Sequence, residues 1–308
     1  MRQFSIITPT YNRANFLPRV YDCLLQQGDI DFEWVIVDDG SSDNTKDVVS
    51  TLNGPFDIKY INQENSGKPK AVNRGVSLAN SYISLLHDDD DTLLPNILPL
   101  VWKYFDPASE TFQEGCACVS GLCVYDNGKI IGDKFPFDYH ISDNINYRDN
   151  KKIKGDKCEF FLTSILKTYP FPVINNEKFI GESLVWNRIA LNHRTIYINE
   201  IFLKKVFLED GLSNKPIWTD NPHSSELFHN EMTNPRFLLS IQLINYAKYI
   251  RYAKINKKSL PQIYSSSHNK KLFLPGLLFY VLFLVKQYFS KLSFMEKRKK
   301  KRYWKKIT

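Results

Sequence analysis

Over residues 4–105 the chain alternates short apolar runs with stretches whose apolar residues recur every three or four positions. Residues 4–8 form a β-rich run that ends at Pro9. In 15–27, Phe16, Leu17, Val20 and Leu24 fall at helical spacing. A second apolar run, 33–37, ends in Asp38-Asp39-Gly40-Ser41, and Ser42 or Asp43 can cap a helix with Val48, Val49 and Leu52 on its inner face. Residues 58–61 give a third strand, 69–80 a helix with Ala71, Val72, Val76 and Ala79 inward, 82–86 a fourth strand, and 93–105 a further helix. This alternation predicts βαβ units and a mostly parallel sheet flanked by helices. In such sheets ligands sit beyond the carboxyl ends of the strands. Those ends carry Thr10-Tyr11-Asn12, Asp38-Asp39-Gly40 and the run from His87 to Asp91.

Beyond residue 105 the pattern weakens. Asp126-Asn127-Gly128 between runs 119–125 and 129–131 predicts a hairpin. Residues 133–230 are less regular, with one or two strands in 194–209, and 235–252 has helical spacing through Phe237, Leu238, Ile241, Ile244 and Tyr249. Residues 272–285 form a 14-residue apolar block broken only by Pro275-Gly276, short of the ~20 that a membrane span needs. A basic run then occupies 297–306.

Charge sharpens this division. Residues 248–308 hold 17 of the 41 Lys and Arg and a single acid, Glu296, so the residues before them are acidic on balance although the whole chain is +8. An acidic body with a basic tail gives the tail, not the body, an anionic partner. The five cysteines have no metal-ligand spacing and are expected as buried free thiols in a reducing compartment. The N-terminus has no signal-peptide apolar region, so a cytoplasmic location is expected.

The run Asp88-Asp89-Asp90-Asp91 after the fourth strand carries the most chemistry. Adjacent carboxylates repel unless a cation neutralises them. A hard divalent ion takes carboxylate oxygens and leaves positions for phosphate. On an extended backbone Asp88 and Asp90 face the same side. They could act together, one on a metal that neutralises a leaving diphosphate and the other on the metal or a ribose.

The segments Ser5 to Arg13, Trp34 to Asp43, Gln63 to Lys68, Ala71 to Gly75 and Asp88-x-Asp90 resemble, in order and spacing, the family 2 glycosyltransferases of GT-A fold. The likeness is close over 4–105 and weaker to about 210. It implies an α/β, Rossmann-like GT-A domain over 1–210, with a nucleotide-binding half (1–105) and an acceptor half (106–210), and a helical extension over 211–308. It also implies inverting transfer from a UDP-sugar with Mn2+ or Mg2+. By position, Pro9, Thr10, Tyr11 and Arg13 would line the base and ribose pocket, and Asp39 would bond the uracil. Lys68 and Asn73 would lie near the base or ribose. Asp88 and Asp90 would be the metal pair, Asp90 the direct ligand, with Asp89 among the donor-binding residues.

Inverting transfer needs a base for the acceptor hydroxyl. Family members carry an acidic pair six residues before an Arg that follows a Trp. Here Trp186-x-Arg188 anchors that pattern and Glu182 takes the base position, while Gly181 replaces the preceding acid. Glu177 and Asp156 are the other candidates. The acceptor is expected to be a saccharide or lipid-linked saccharide of cell-surface polysaccharide synthesis. The apolar block and basic run over 272–308 are expected to meet an anionic membrane at its inner face, rather than nucleic acid or bulk solvent. A metal-dependent nucleotidyl- or phosphotransferase and a catalytically inactive nucleotide-sugar-binding module are the rival classes. The first lacks its usual phosphate loop here, since no GxxxxGK[ST] occurs.

Overall fold

The computed structural model describes residues 2–174, 177–206 and 216–286. It divides into two compact units, Met1–Asn221 and Pro222–Thr308.

The first unit is built on a nine-stranded sheet. Its nucleus is the parallel set β1 (Arg2–Thr10), β2 (Phe32–Asp38), β3 (Asp57–Asn62) and β4 (Ser81–Leu86), in the order β3-β2-β1-β4. Helices α1 (Leu17–Leu24), α2 (Thr45–Thr51) and α3 (Lys68–Leu78) make the crossovers. β1 and β2 are near-continuous apolar runs because they are buried on both faces: Phe4, Ile6, Trp34, Val35 and Ile36 are all inaccessible. The register aligns the strand ends, with Thr10 opposite Asp38, Asp38 opposite Asn62, and Ile7 opposite Leu86. One edge of the sheet therefore presents all four following loops.

The sheet continues through strands of mixed direction. β5 (Asp91–Leu93) precedes α4 (Ile97–Trp102); then come β6 (Cys116–Tyr125), β7 (Tyr139–Ser142), β8 (Lys157–Leu162) and β9 (Arg194–Lys205). β8 runs antiparallel to β4 and β6, β6 parallel to β9, and β5 and β7 antiparallel to β9. Two short helices, α5 (Thr163–Thr168) and α6 (Ser183–Ala190), lie between β8 and β9, and α7 (Ile217–Asp220) closes the unit. The expected α/β sheet flanked by helices is present. The details differ at two places. The helix expected over 93–105 begins only at Ile97, because residues 91–93 pair with β9. The second arm of the expected hairpin is reduced to the bridge between Val124 and Ile130, although its turn closes with Gly128 donating to the Tyr125 carbonyl.

The second unit is helical: α8 (Pro222–Glu231), α9 (Leu239–Ile255), α10 (Leu260–Ser266) and α11 (residues 273–286). Tyr246, Tyr249, Ile250, Ala253 and Ile263 form its buried core. All five cysteines, which lie in the first unit, are buried and unpaired. No helix among the described residues is long and apolar enough to cross a membrane. The basic run 297–306 lies outside the described residues.

Helix α3 sits tightly on β1 because position 75 lacks a side chain. A Cβ there would lie 2.3 Å from Ile7 Cγ2 and 3.2 Å from Val37 Cγ2, side chains that are buried in the sheet. Gly75→Val is expected to destabilise the first unit by about 1–3 kcal/mol through overpacking, read as a lower urea midpoint. An unchanged midpoint would mean that α3 can lift off the sheet at no cost.

Candidate active site

The site is assembled by short-range constraints at the aligned strand ends. Asn12 adopts a left-handed backbone (φ 53°). Its N–H donates to Ser41 Oγ at 2.8 Å and its side-chain oxygen accepts from the Ser42 N–H at 2.7 Å, which ties the β1–α1 loop to the β2–α2 loop. Asp38 accepts from the Ser41 N–H at 2.8 Å and from the Tyr60 hydroxyl at 2.5 Å. Burial and that bond to Asp38 push the Tyr60 phenol up to about 12.

Asp39 pins the loop ahead of α3. One carboxylate oxygen accepts from Gln63 Nε2 at 2.8 Å and the Ser66 N–H at 2.9 Å; the other accepts from the Gly67 N–H at 2.7 Å. Gly67 has φ 92°, and a Cβ there would meet the Lys178 backbone at 2.5 Å, so this turn requires glycine. The next residue, Lys68, starts α3 and is thereby aimed along the sheet edge.

Lys68 joins the two halves of the site. Its ammonium lies 2.6 Å from Asp88 and 3.0 Å from Glu182. Burial opposes the charge on Lys68, but the two carboxylates outweigh it and hold its pKa well above the ordinary lysine value. Burial likewise opposes the charge on Asp88, yet Lys68 and Lys205 keep that carboxyl far below its usual range. Lys68, expected on the base or ribose side of the site, stands between the aspartate cluster and Glu182.

The four aspartates are sorted by a turn at Asp89 and Asp90. Asp88, Asp90 and Asp91 bring one oxygen each to within 4.8 Å of one another. Asp89 turns the other way: it accepts from Thr10 Oγ1 at 2.7 Å, with Arg13 at 3.4 Å, and burial pushes its carboxyl up to about 7. Asp89 thus braces the β1–α1 loop instead of joining the oxygen cluster. Arg13 pairs with Asp90 at 2.7 Å and Lys205 with Asp91 at 3.1 Å; Arg19 also bonds the Asp90 carbonyl. Lys205 is placed by strand register, opposite Asp91. His87 is buried with no hydrogen-bond partner on either ring nitrogen among the described residues, and burial lowers its pKa to about 4.

Of the remaining expected residues, Pro9 and Thr10 end β1 and are buried, and Tyr11 is exposed at the start of the loop. Asn73 bonds the backbone of Phe171. Its amide donates to the Phe171 carbonyl and accepts from the Phe171 N–H, both at 2.8 Å, which braces α3 against that segment. Glu182, half-exposed at the start of α6, is the acid that reaches the cluster through Lys68. Asp156 instead lies 3.7 Å from Lys205.

Three convergent carboxylate oxygens are hard donors of the kind Mg2+ and Mn2+ take, so the donor set fits such an ion. Lys68, Arg13 and Lys205 each pair with one of the three. A cation bound there would compete with the chain's own ammonium and guanidinium groups for the same oxygens.

The sequence profile of the family described as Glycosyl transferase family 2 matches residues 5–169. A glycosyltransferase of Campylobacter jejuni, GalNAc(5)-diNAcBac-PP-undecaprenol beta-1,3-glucosyltransferase, is 29% identical over 221 residues, covering 69% of this chain and 68% of that protein. Chondroitin synthase of Pasteurella multocida is 39% identical over 103 residues, 33% of this chain and only 11% of that protein. Among solved structures, Staphylococcus aureus TarS 1-349 in complex with UDP-GlcNAc superposes with a TM-score of 0.64 at 19% identity, covering 90% of this chain and 79% of that one. The mannosyltransferase PcManGT of Pyrobaculum calidifontis, in complex with GDP-Man and Mn2+, gives 0.52 at 17% identity over 91% and 88%. With the profile spanning more than half its length, the chain belongs to glycosyl transferase family 2. It is a glycosyltransferase of GT-A fold.

Lys68→Met removes the cation that competes for Asp88. Calorimetric titration of the nucleotide-free protein is expected to show Mn2+ binding about tenfold tighter in this variant, within the usual range for coupled sites. Equal affinity in the two proteins would show that Lys68 does not guard the cluster.

Proposed function

We propose that the chain transfers a sugar from a UDP-sugar to a saccharide or lipid-linked saccharide acceptor, with inversion, in cell-surface polysaccharide synthesis. The observation that carries this reading is the Lys68 bridge. It sets a group able to accept a proton, Glu182, and a cation-binding oxygen cluster on either side of one ammonium ion. The two parts of the reaction, deprotonating the acceptor and stabilising the departing diphosphate, need these two groups next to each other. The UDP-GlcNAc bound by TarS and the undecaprenol-linked substrate in the name of the Campylobacter relative favour the same donor and acceptor classes.

In this mechanism Glu182 takes the proton of the acceptor hydroxyl as its oxygen attacks the anomeric carbon. The bond from that carbon to the diphosphate breaks, and UDP departs with the electron pair. Lys68 holds Glu182 in place and balances charge beside Asp88. Asp88 and Asp90, with Asp91 added by the geometry, would hold Mn2+ or Mg2+. When bound, that ion supplies positive charge to the diphosphate leaving group. Thr10, Tyr11 and Arg13 line the donor side, and Asp39 fixes the loop beside it while keeping room on one oxygen for the base. The basic region after residue 248 meets the anionic inner face of the cell membrane, where a lipid-linked acceptor would be found.

Glu182→Gln is expected to lower turnover about 10²–10⁴-fold, the usual contribution of a general base, and to leave the dissociation constant for UDP unchanged. Turnover equal to the unaltered chain would transfer the role to Asp156 or Glu177. Failure of both proteins to bind UDP would instead favour a binding module for another ligand.

A further inference from the structure

Helix α11 of the second unit has two unlike faces. Phe273, Leu277 and Tyr280 pack on the core formed by Tyr246, Tyr249, Ile250 and Ile263. Gly276 lies so close to that core that a Cβ would come within 2.4 Å of the Tyr246 ring. This helix is therefore held against its own unit with a fixed rotation. The outward face carries Leu274 (73% exposed), Leu278 (59%), Val281 (47%), Leu282 (56%) and Val285 (46%). At the pitch of an α-helix these five fall within an arc of about 100°. Five branched aliphatic side chains in one stripe form a contiguous apolar patch, which a soluble surface rarely leaves open.

The charge around the stripe favours one occupant. Residues 222–286 contain nine Lys and Arg and only two acids, Glu226 and Glu231. Glu226 is spent on Lys258, at 2.6 Å. Lys270 and Lys271, just before α11, and Lys286, in its last described turn, are exposed. A second copy of this unit would bring the same excess of positive charge against itself. A bilayer with anionic headgroups offers apolar depth to the leucines and negative charge to the lysines at its boundary. No helix among the described residues is long and apolar enough to span such a bilayer.

We propose that α11 inserts its stripe in the plane of an anionic membrane surface, so that the second unit is held by apolar burial as well as by charge. This deepens the membrane partner proposed above and rests on it. It assigns the insertion to Leu274, Leu278, Val281, Leu282 and Val285 rather than to the basic run alone. Charge-driven attachment is released by salt, whereas apolar insertion persists.

The test is co-flotation of the full chain with vesicles of phosphatidylcholine and phosphatidylglycerol, and of phosphatidylcholine alone, at low and high salt. No donor or acceptor is needed, so the transfer reading can fail while this outcome stays readable. The full chain is expected to bind the anionic vesicles and to keep a bound fraction at high salt. The triple variant Leu274→Ser, Leu278→Ser, Leu282→Ser is expected to lose that salt-resistant fraction, with partitioning down about tenfold or more. Its melting transition should hold, because these side chains are exposed. The single variant Leu278→Ser, expected to lose part of the same fraction, keeps the test decisive if the triple variant does not fold. Equal flotation of variant and unaltered chain, or complete release of the unaltered chain by salt, would overturn the proposal. So would a dimer in solution that the triple variant converts to monomer, since the stripe would then be an interface between copies.

Discussion

Mutual repulsion among the carboxylates of Asp88, Asp90 and Asp91 is the constraint around which the first unit is organised. Three negative oxygens within 4.8 Å of one another are tolerated only if positive charge is delivered to them. The fold delivers it from three separate elements: Arg13 from the loop after β1, Lys68 from the start of α3, and Lys205 from the end of β9. Each of those cations depends on something further back. Arg13 depends on the Asn12 turn, Lys68 on the Asp39 clamp at Gly67, and Lys205 on the register of β5 with β9.

This arrangement balances the charge of the cluster with the chain's own side chains. A divalent ion bound there would meet carboxylates that already pair with Arg13, Lys68 and Lys205. Lys68 is the group through which such binding would be felt at Glu182, because it touches both carboxylates. A link of this kind would couple metal occupancy at Asp88 to the position of Glu182 through one network.

The parallel half of the fold was legible because burial on both faces writes strands as unbroken apolar runs, as in 33–37, and crossover helices write a clear three-to-four spacing, as in 69–80. The later strands were harder to see. β7 and β8 are short and mixed in composition, and their pairing joins segments far apart in sequence, such as β7 with β9. Within the site, the aspartate run announced a cation-binding corner, and period-two alternation set Asp88 and Asp90 on one side, where both lie in the oxygen cluster. The turn at Asp89 and Asp90 sends Asp89 to Thr10 and adds Asp91 to the cluster. Nothing local marked Lys205, whose role exists only through strand register. Nor did the motif around Asn73 reveal the bonds its amide makes to the Phe171 backbone, 98 residues away. The exposure of the α11 stripe was likewise invisible to composition, since 272–285 reads as one apolar block until its inner face is paired with Tyr246 and Tyr249.

The most direct measurement is anomalous diffraction at the manganese edge from crystals of the protein grown with UDP and Mn2+. The account predicts one strong peak between the carboxylates of Asp88, Asp90 and Asp91 and the diphosphate, with the Lys68 ammonium withdrawn from Asp88. A bound UDP with no peak at those carboxylates, or a peak elsewhere with the Lys68–Asp88 pair intact, would contradict it.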